Sequence, residues 1–102
     1  MEELLTELKS RLRITWDDEN KELERIIKRG KSYFLKLTGK AFSFSLDEWE
    51  TELLLERCRY VYNNAADEFE LNFRDELQRL ILTVALEKRK KNGEQTDTGL
   101  AE

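Results

Sequence analysis

The sequence predicts an all-α protein: a single four-helix bundle-like domain over residues 1–92, followed by a flexible tail over residues 93–102. Three observations predict it. Apolar residues recur with the 3.6-residue period of amphipathic helices through most of the chain. There is no proline, and only four glycines interrupt 102 residues, so little breaks a helix once it has started. Charged residues make up 39% and apolar residues another 39%, the balance expected when each helix buries one face and solvates the other. A chain of this size forms one domain and buries roughly 65% of the surface its unfolded form exposes.

The first helix is read in EELLTELKSRLR, where Leu4, Leu5, Leu8 and Leu12 share a stripe. Glu2 and Glu3 sit at its positive pole, and Arg11 and Arg13 at its negative one. ITWDD breaks the pattern, with Asp17 or Asp18 expected as the N-cap of the next helix. That helix, ENKELERIIKRGKSYFLKLTG, places Leu23, Ile26, Ile27, Gly30, Tyr33, Phe34 and Leu37 on one face. Gly39 stands where a left-handed residue ends a helix. Gly30 lies within the apolar stripe, where glycine costs about 1 kcal/mol relative to alanine, so a second helix is expected to approach closely there.

KAFSFS alternates too briefly for a strand. Ser45 and Glu48 then have capping-box spacing, and a third helix follows with Trp49, Leu53, Leu54, Cys58, Val61, Tyr62 and Ala65 as its buried set. RYVYNNAADEFELNF, residues 59–73, reads as a corner with its acids outward, Asn63 and Asn64 capping the third helix. A fourth helix is expected from Asn72 or Phe73, with Leu77, Leu80, Ile81 and Val84 on its stripe and Gly93 at its end. The remainder is polar and poor in apolar residues, as tails are.

Charge and residue types exclude much chemistry. The chain has no histidine and one cysteine, so no zinc set and no Ser–His or Cys–His pair can be assembled. No Walker or dinucleotide glycine pattern occurs. Asp67, Glu68, Glu70, Asp75 and Glu76 are oxygen donors for Mg²⁺ or Ca²⁺, but they match no EF-hand and are read as covering a helix start, where negative charge is favoured. Neither a cofactor nor an enzymatic activity is expected. Cys58 falls on an apolar stripe and is read as an inert thiol; it forms no internal disulfide, which fits a reducing cytoplasm. No apolar run reaches the roughly 18 residues of a membrane span, and no secretory leader is read at the start.

The net charge of −4 opposes a dedicated nucleic-acid binder, yet charge is unevenly spread. Residues 1–40 hold 10 Lys and Arg against 8 Asp and Glu, and residues 41–102 hold 8 against 14. Lys88, Arg89, Lys90 and Lys91 are either phosphate contacts or the charge complement of the fourth helix's C-terminal dipole. Phe42 and Phe44 are either tucked under the bundle or held out for a partner.

Taken together, the RLRI…DDE…L..II…Y…TG arrangement of the first half and RYVYNNAADEFELNF in the second resemble the head–tail connector (adaptor) proteins of long-tailed bacteriophages, over residues 4 to 90. The resemblance implies a virion protein, made in the bacterial cytoplasm, that docks beneath the portal ring. There it would form a ring of about a dozen subunits, extend the DNA channel without sequence-specific contacts, and recruit the stopper, the next head-completion protein. Under this reading the expected partner contacts are Phe42 and Phe44 in the loop and Gly99 and Leu100 in the tail, Leu100 being the only large apolar residue after Leu86. The alternative is a small regulatory or DNA-binding helical module using Lys88 to Lys91 as a phosphate clamp.

Overall fold

A computed structural model describes the backbone of residues 2–100 and the side chains of residues 2–90. Five helices follow one another: α1 (Glu2–Leu12), α2 (Asn20–Thr38), α3 (Trp49–Tyr62), α4 (Ala66–Asn72) and α5 (Arg74–Leu100). The described residues contain no strand, and the all-α bundle-like class read from the sequence holds.

The first three helices form the body. Leu4, Leu5 and Leu8 of α1, Leu23, Ile26, Ile27 and Phe34 of α2, and Leu53, Leu54, Leu55 and Cys58 of α3 are all buried in one cluster. The α2 stripe is therefore the one its period predicted. Gly30 faces α3 at close range: a Cβ there would stand 2.6 Å from Leu54 Cδ1 and 3.7 Å from Cys58 Sγ. The absence of a side chain lets the two helices meet, as the sequence suggested.

Three turns close helices with a left-handed residue. Gly39 (φ 78°) ends α2 and donates its N–H to the Leu35 carbonyl. Asn64 (φ 59°) ends α3, where Ala65 N–H bonds to Tyr60 O and Asn64 N–H to Val61 O, the paired bonds of a Schellman motif. Asn63 adds a side-chain bond to Arg59 O at 2.9 Å, so both asparagines cap α3 as expected. Arg13 (φ 60°) does the same for α1, with Ile14 N–H on Lys9 O and Arg13 N–H on Ser10 O. Ile14 is buried, the apolar contact that accompanies such an end.

Several expectations are corrected. The corner after Asn64 contains a helix of its own, α4, anchored by the buried ring of Phe69. The N-cap of α2 is Glu19, without a side-chain cap bond. Asp17 instead takes Lys9 Nζ at 2.7 Å, which holds its carboxyl below the usual range. The Ser45–Glu48 box is half formed: Glu48 is the N-cap of α3, and its carboxylate accepts from Ser45 N–H and Ser43 Oγ. Trp49 is exposed while Thr51 and Leu55 are buried in its stead, and Ile81 is exposed on α5. The backbone of α5 also passes Gly93 and stays helical to Leu100. One interior glycine costs only about 1 kcal/mol, and no proline follows to force a stop.

The short α4 turns the chain back across the body. Phe69 packs edge-on to Tyr33 of α2 and Tyr60 of α3, and stacks on Phe73 at 5.0 Å. From there α5 lies along α2 through Leu77, Leu80 and Val84. The molecule measures 62 × 28 × 19 Å.

Candidate interaction surfaces

The chain between α2 and α3 is settled by one ring. Phe44 is buried and lies edge-on to Phe34, 6.0 Å between centroids. It adopts φ 56°, a region bulky residues rarely occupy, and the burial of its ring offsets that cost. Phe42 packs against Phe44 at 5.5 Å and is only half-buried, with Lys40 Nζ over its ring at 5.1 Å. Of the two readings the sequence left open, Phe44 takes the core and Phe42 straddles both. The partner-contact residues Gly99 and Leu100 lie, with Lys91, outside the described side chains.

The basic run does not sit at a helix end. Because α5 continues to Leu100, residues 88–91 fall in its interior, and the expected pairing with the helix's own C-terminal dipole is not made. Lys88 instead reaches the end of a different helix: its Nζ donates to Gly39 O at 3.2 Å and approaches Thr38 O at 3.5 Å. The last carbonyls of α2 carry its negative pole, so the lysine supplies the missing donor. Lys40 Nζ meets Glu87 at 3.0 Å beside it. Lys88 thus clamps α5 to α2, while Arg89 and Lys90 remain exposed.

Cys58 is fully buried, and burial pushes its thiol up to about 12. It is inert, as its stripe position implied. The acids of the corner do face outward: Asp67, Glu68 and Asp75 are exposed, and Glu70 accepts from Tyr33 Oη at 2.9 Å. Burial and that bond together raise the Tyr33 phenol to about 12. No group of three or more metal-ligating side chains occurs among the described residues. None of their helices is long and apolar enough to cross a membrane.

Two features were not anticipated. Arg11 ties α1 to α3 through Glu52 at 2.7 Å and Glu56 at 3.2 Å, with Glu7 at 3.3 Å on its own helix. The bond to Arg11 lowers the Glu52 carboxyl. Sequence alone gives no sign of it, because the partners lie 41 and 45 residues away. The second feature is the outer face of α5, where Leu82 and Leu86 stand 58% and 53% exposed, with Leu71 of α4 at 74%. Their spacing of four in α5 was a readable signal, since it places both leucines on one face apart from the buried stripe.

A groove of about 460 Å³ opens between α2 and α3, with Ile26 and Val61 among its apolar walls and Arg29, Arg57 and Tyr62 around it. Arg57 lies over the Tyr33 ring at 4.4 Å. Neither arginine makes an ion pair among the described residues.

In comparison with known proteins, the chain matches the family model described as phage gp6-like head-tail connector protein over residues 2–101. No curated protein matches the chain, and no solved structure does.

Proposed function

Because the chain belongs to the phage gp6-like head–tail connector family, a family of virion structural proteins, we propose that it docks beneath the portal, extends the DNA channel as a ring, and recruits the stopper. The match along nearly the whole chain is the observation that carries this reading. A structural role with no reaction of its own is part of it. The architecture supports it as well: a short body stapled at its helix ends, and a long helix that leaves the body with apolar residues on its outer face.

Self-association into a ring of about a dozen copies needs two different faces that complement each other. The acidic second half supplies a surface that repels duplex phosphates, so DNA slides without adhering. Partner contacts are proposed at Phe42, whose exposed edge is held in place by Phe44, and at Gly99 and Leu100. The tail over residues 93–102 is proposed to seat on a partner as the ring assembles.

The test is to mix the protein with the portal ring encoded beside it and to weigh the complexes by mass photometry. A discrete increase of about a dozen subunits per portal is the expected result. No increase, with salt-dependent binding to duplex DNA instead, overturns the reading in favour of a DNA-binding module acting through Arg89 and Lys90.

A further inference from the structure

The groove between α2 and α3 has a definite chemistry. Ile26 and Val61 give it apolar walls, and Arg29 and Arg57 bring two guanidinium groups to it. Glu22, on the same rim, is already paired with Arg25 at 2.6 Å. Arg57 is held over Tyr33, which fixes one cation in advance of any ligand. A fitting occupant therefore carries an apolar side chain and carboxylates on one short segment, since guanidinium forks match carboxylates.

The chain contains such a segment. Residues 93–102, GEQTDTGLAE, hold Glu94, Asp97 and Glu102, no lysine or arginine, and the single large apolar residue Leu100. Geometry keeps it from its own groove. Phe73 lies against Tyr60, and Lys88 lies against Gly39, so α5 travels toward the C-terminal end of α2. The groove is walled instead by Ile26 and Arg29, from the first half of α2. Beyond Lys88 the helix runs on to Leu100, a further reach of ~18 Å at ~1.5 Å per residue, and it points away from the groove.

We infer that the Arg29–Arg57 groove receives the acidic tail, residues 93–102, of a second copy of this chain. The contact is head-to-tail, the kind that closes a ring when the rotation between copies permits. It rests on the proposed ring insofar as it names how the copies touch, and it assigns the tail to a neighbouring copy.

The experiment uses the full chain with a benzophenone amino acid in place of Leu100, mixed as isotopically heavy and light forms. It is irradiated at high concentration both free and on portal rings. Cross-links joining heavy to light chains at the Ile26–Arg29 or Val61–Ala66 peptides are expected. Arg29→Glu should abolish them, and combining it with Glu94→Lys and Asp97→Lys in the tail should restore them. Arg29 is exposed, and an unchanged melting temperature for R29E confirms that the loss is not unfolding. Cross-links within one chain, cross-links to the portal, links indifferent to charge exchange, or none at all would each overturn the inference. The mass of wild-type complexes separates the two readings. Portal loading without heavy-to-light links removes the tail contact alone, and links without portal loading remove the docking role alone.

Discussion

The body of α1–α3 and the arm made by α5 follow the same apolar period, yet they are held differently. In the body each helix is covered by two others, and Leu8, Leu23, Ile27, Phe34, Leu54 and Cys58 have no accessible surface. The arm is supported along one edge by Leu77, Leu80 and Val84, and its opposite side carries Leu82 and Leu86 into solvent. The last anchor to α2 among its described side chains is a charged one, Lys88 on the carbonyls that end that helix. The difference teaches that burial fixes the body, whereas a clamp at a helix end fixes where the arm leaves it.

The sharpest way to break this contrast is Phe34→Ala. Removing a fully buried phenylalanine costs about 3–5 kcal/mol, and urea denaturation should show one cooperative transition at much lower denaturant. A small effect would mean that the body tolerates a void and differs little from the arm.

Alkaline pH acts on the same interior. The folded-state pKa of Cys58 is raised from 9.0 to about 12 by burial, and that of Tyr33 from 10.0 to about 12 by burial and Glu70. Both groups are neutral in the fold, so their stabilisation is complete below the unfolded values. It is lost as pH rises from about 9 toward 12, at up to about 1.4 kcal/mol per unit for the buried Cys58, and by less for the partly exposed Tyr33, whose shift solvent screens. Melting temperature measured against pH should fall through that window, and Cys58→Ala should flatten its lower part. Near neutral pH the thiol should react with a disulfide reagent only when the protein unfolds.

Gly30→Ala tests the helix contact within the body. The new methyl meets Leu54 Cδ1 at 2.6 Å, and Leu54 is itself fully buried. Overpacking of about 1–3 kcal/mol outweighs a helix-propensity gain of about 1 kcal/mol, so a net loss near 1 kcal/mol is expected from denaturation curves. Gly39→Ala tests the clamp. A side chain at φ 78° costs about 1–2 kcal/mol, and its Cβ would sit 2.6 Å from Lys88 Nζ. Paired with Lys88→Met in a double-mutant cycle, it should show non-additivity; strict additivity would mean that the lysine does not touch that helix end. The smallest effect belongs to Leu82→Ser, within about 0.5 kcal/mol, a change that should leave the melting temperature in place.

Legibility followed the same division. The body was readable because its apolar positions repeat over several turns, and because Gly30 and Gly39 stand where glycine fits the geometry at least cost. The α3 cap was readable because Asn63 and Asn64 interrupt the pattern with side chains suited to a turn. In α4 a single ring, Phe69, does the burying, so seven residues never display a period. The depth of Phe44 was not readable, since a left-handed phenylalanine follows no local preference and is held by the Phe34 ring of α2. Nor was the role of Lys88, whose partners lie 49 and 50 residues earlier and meet it only after the chain has turned at α4. Among the proposed contacts, Phe42 was legible only as a loop aromatic with two open readings, whereas the arginine groove required the packed pair of helices.

The Lys88 contact also makes α5 a measuring rod. A helix turns about 100° per residue, so inserting or deleting one residue between Val84 and Lys88 would swing the ammonium away from the α2 carbonyls. The number of residues from Lys88 onward then sets how far the arm extends past its fulcrum. Lengthening or trimming the chain beyond that point changes reach without disturbing the anchor, and the spacing from Val84 to Lys88 is the interval that has to be conserved.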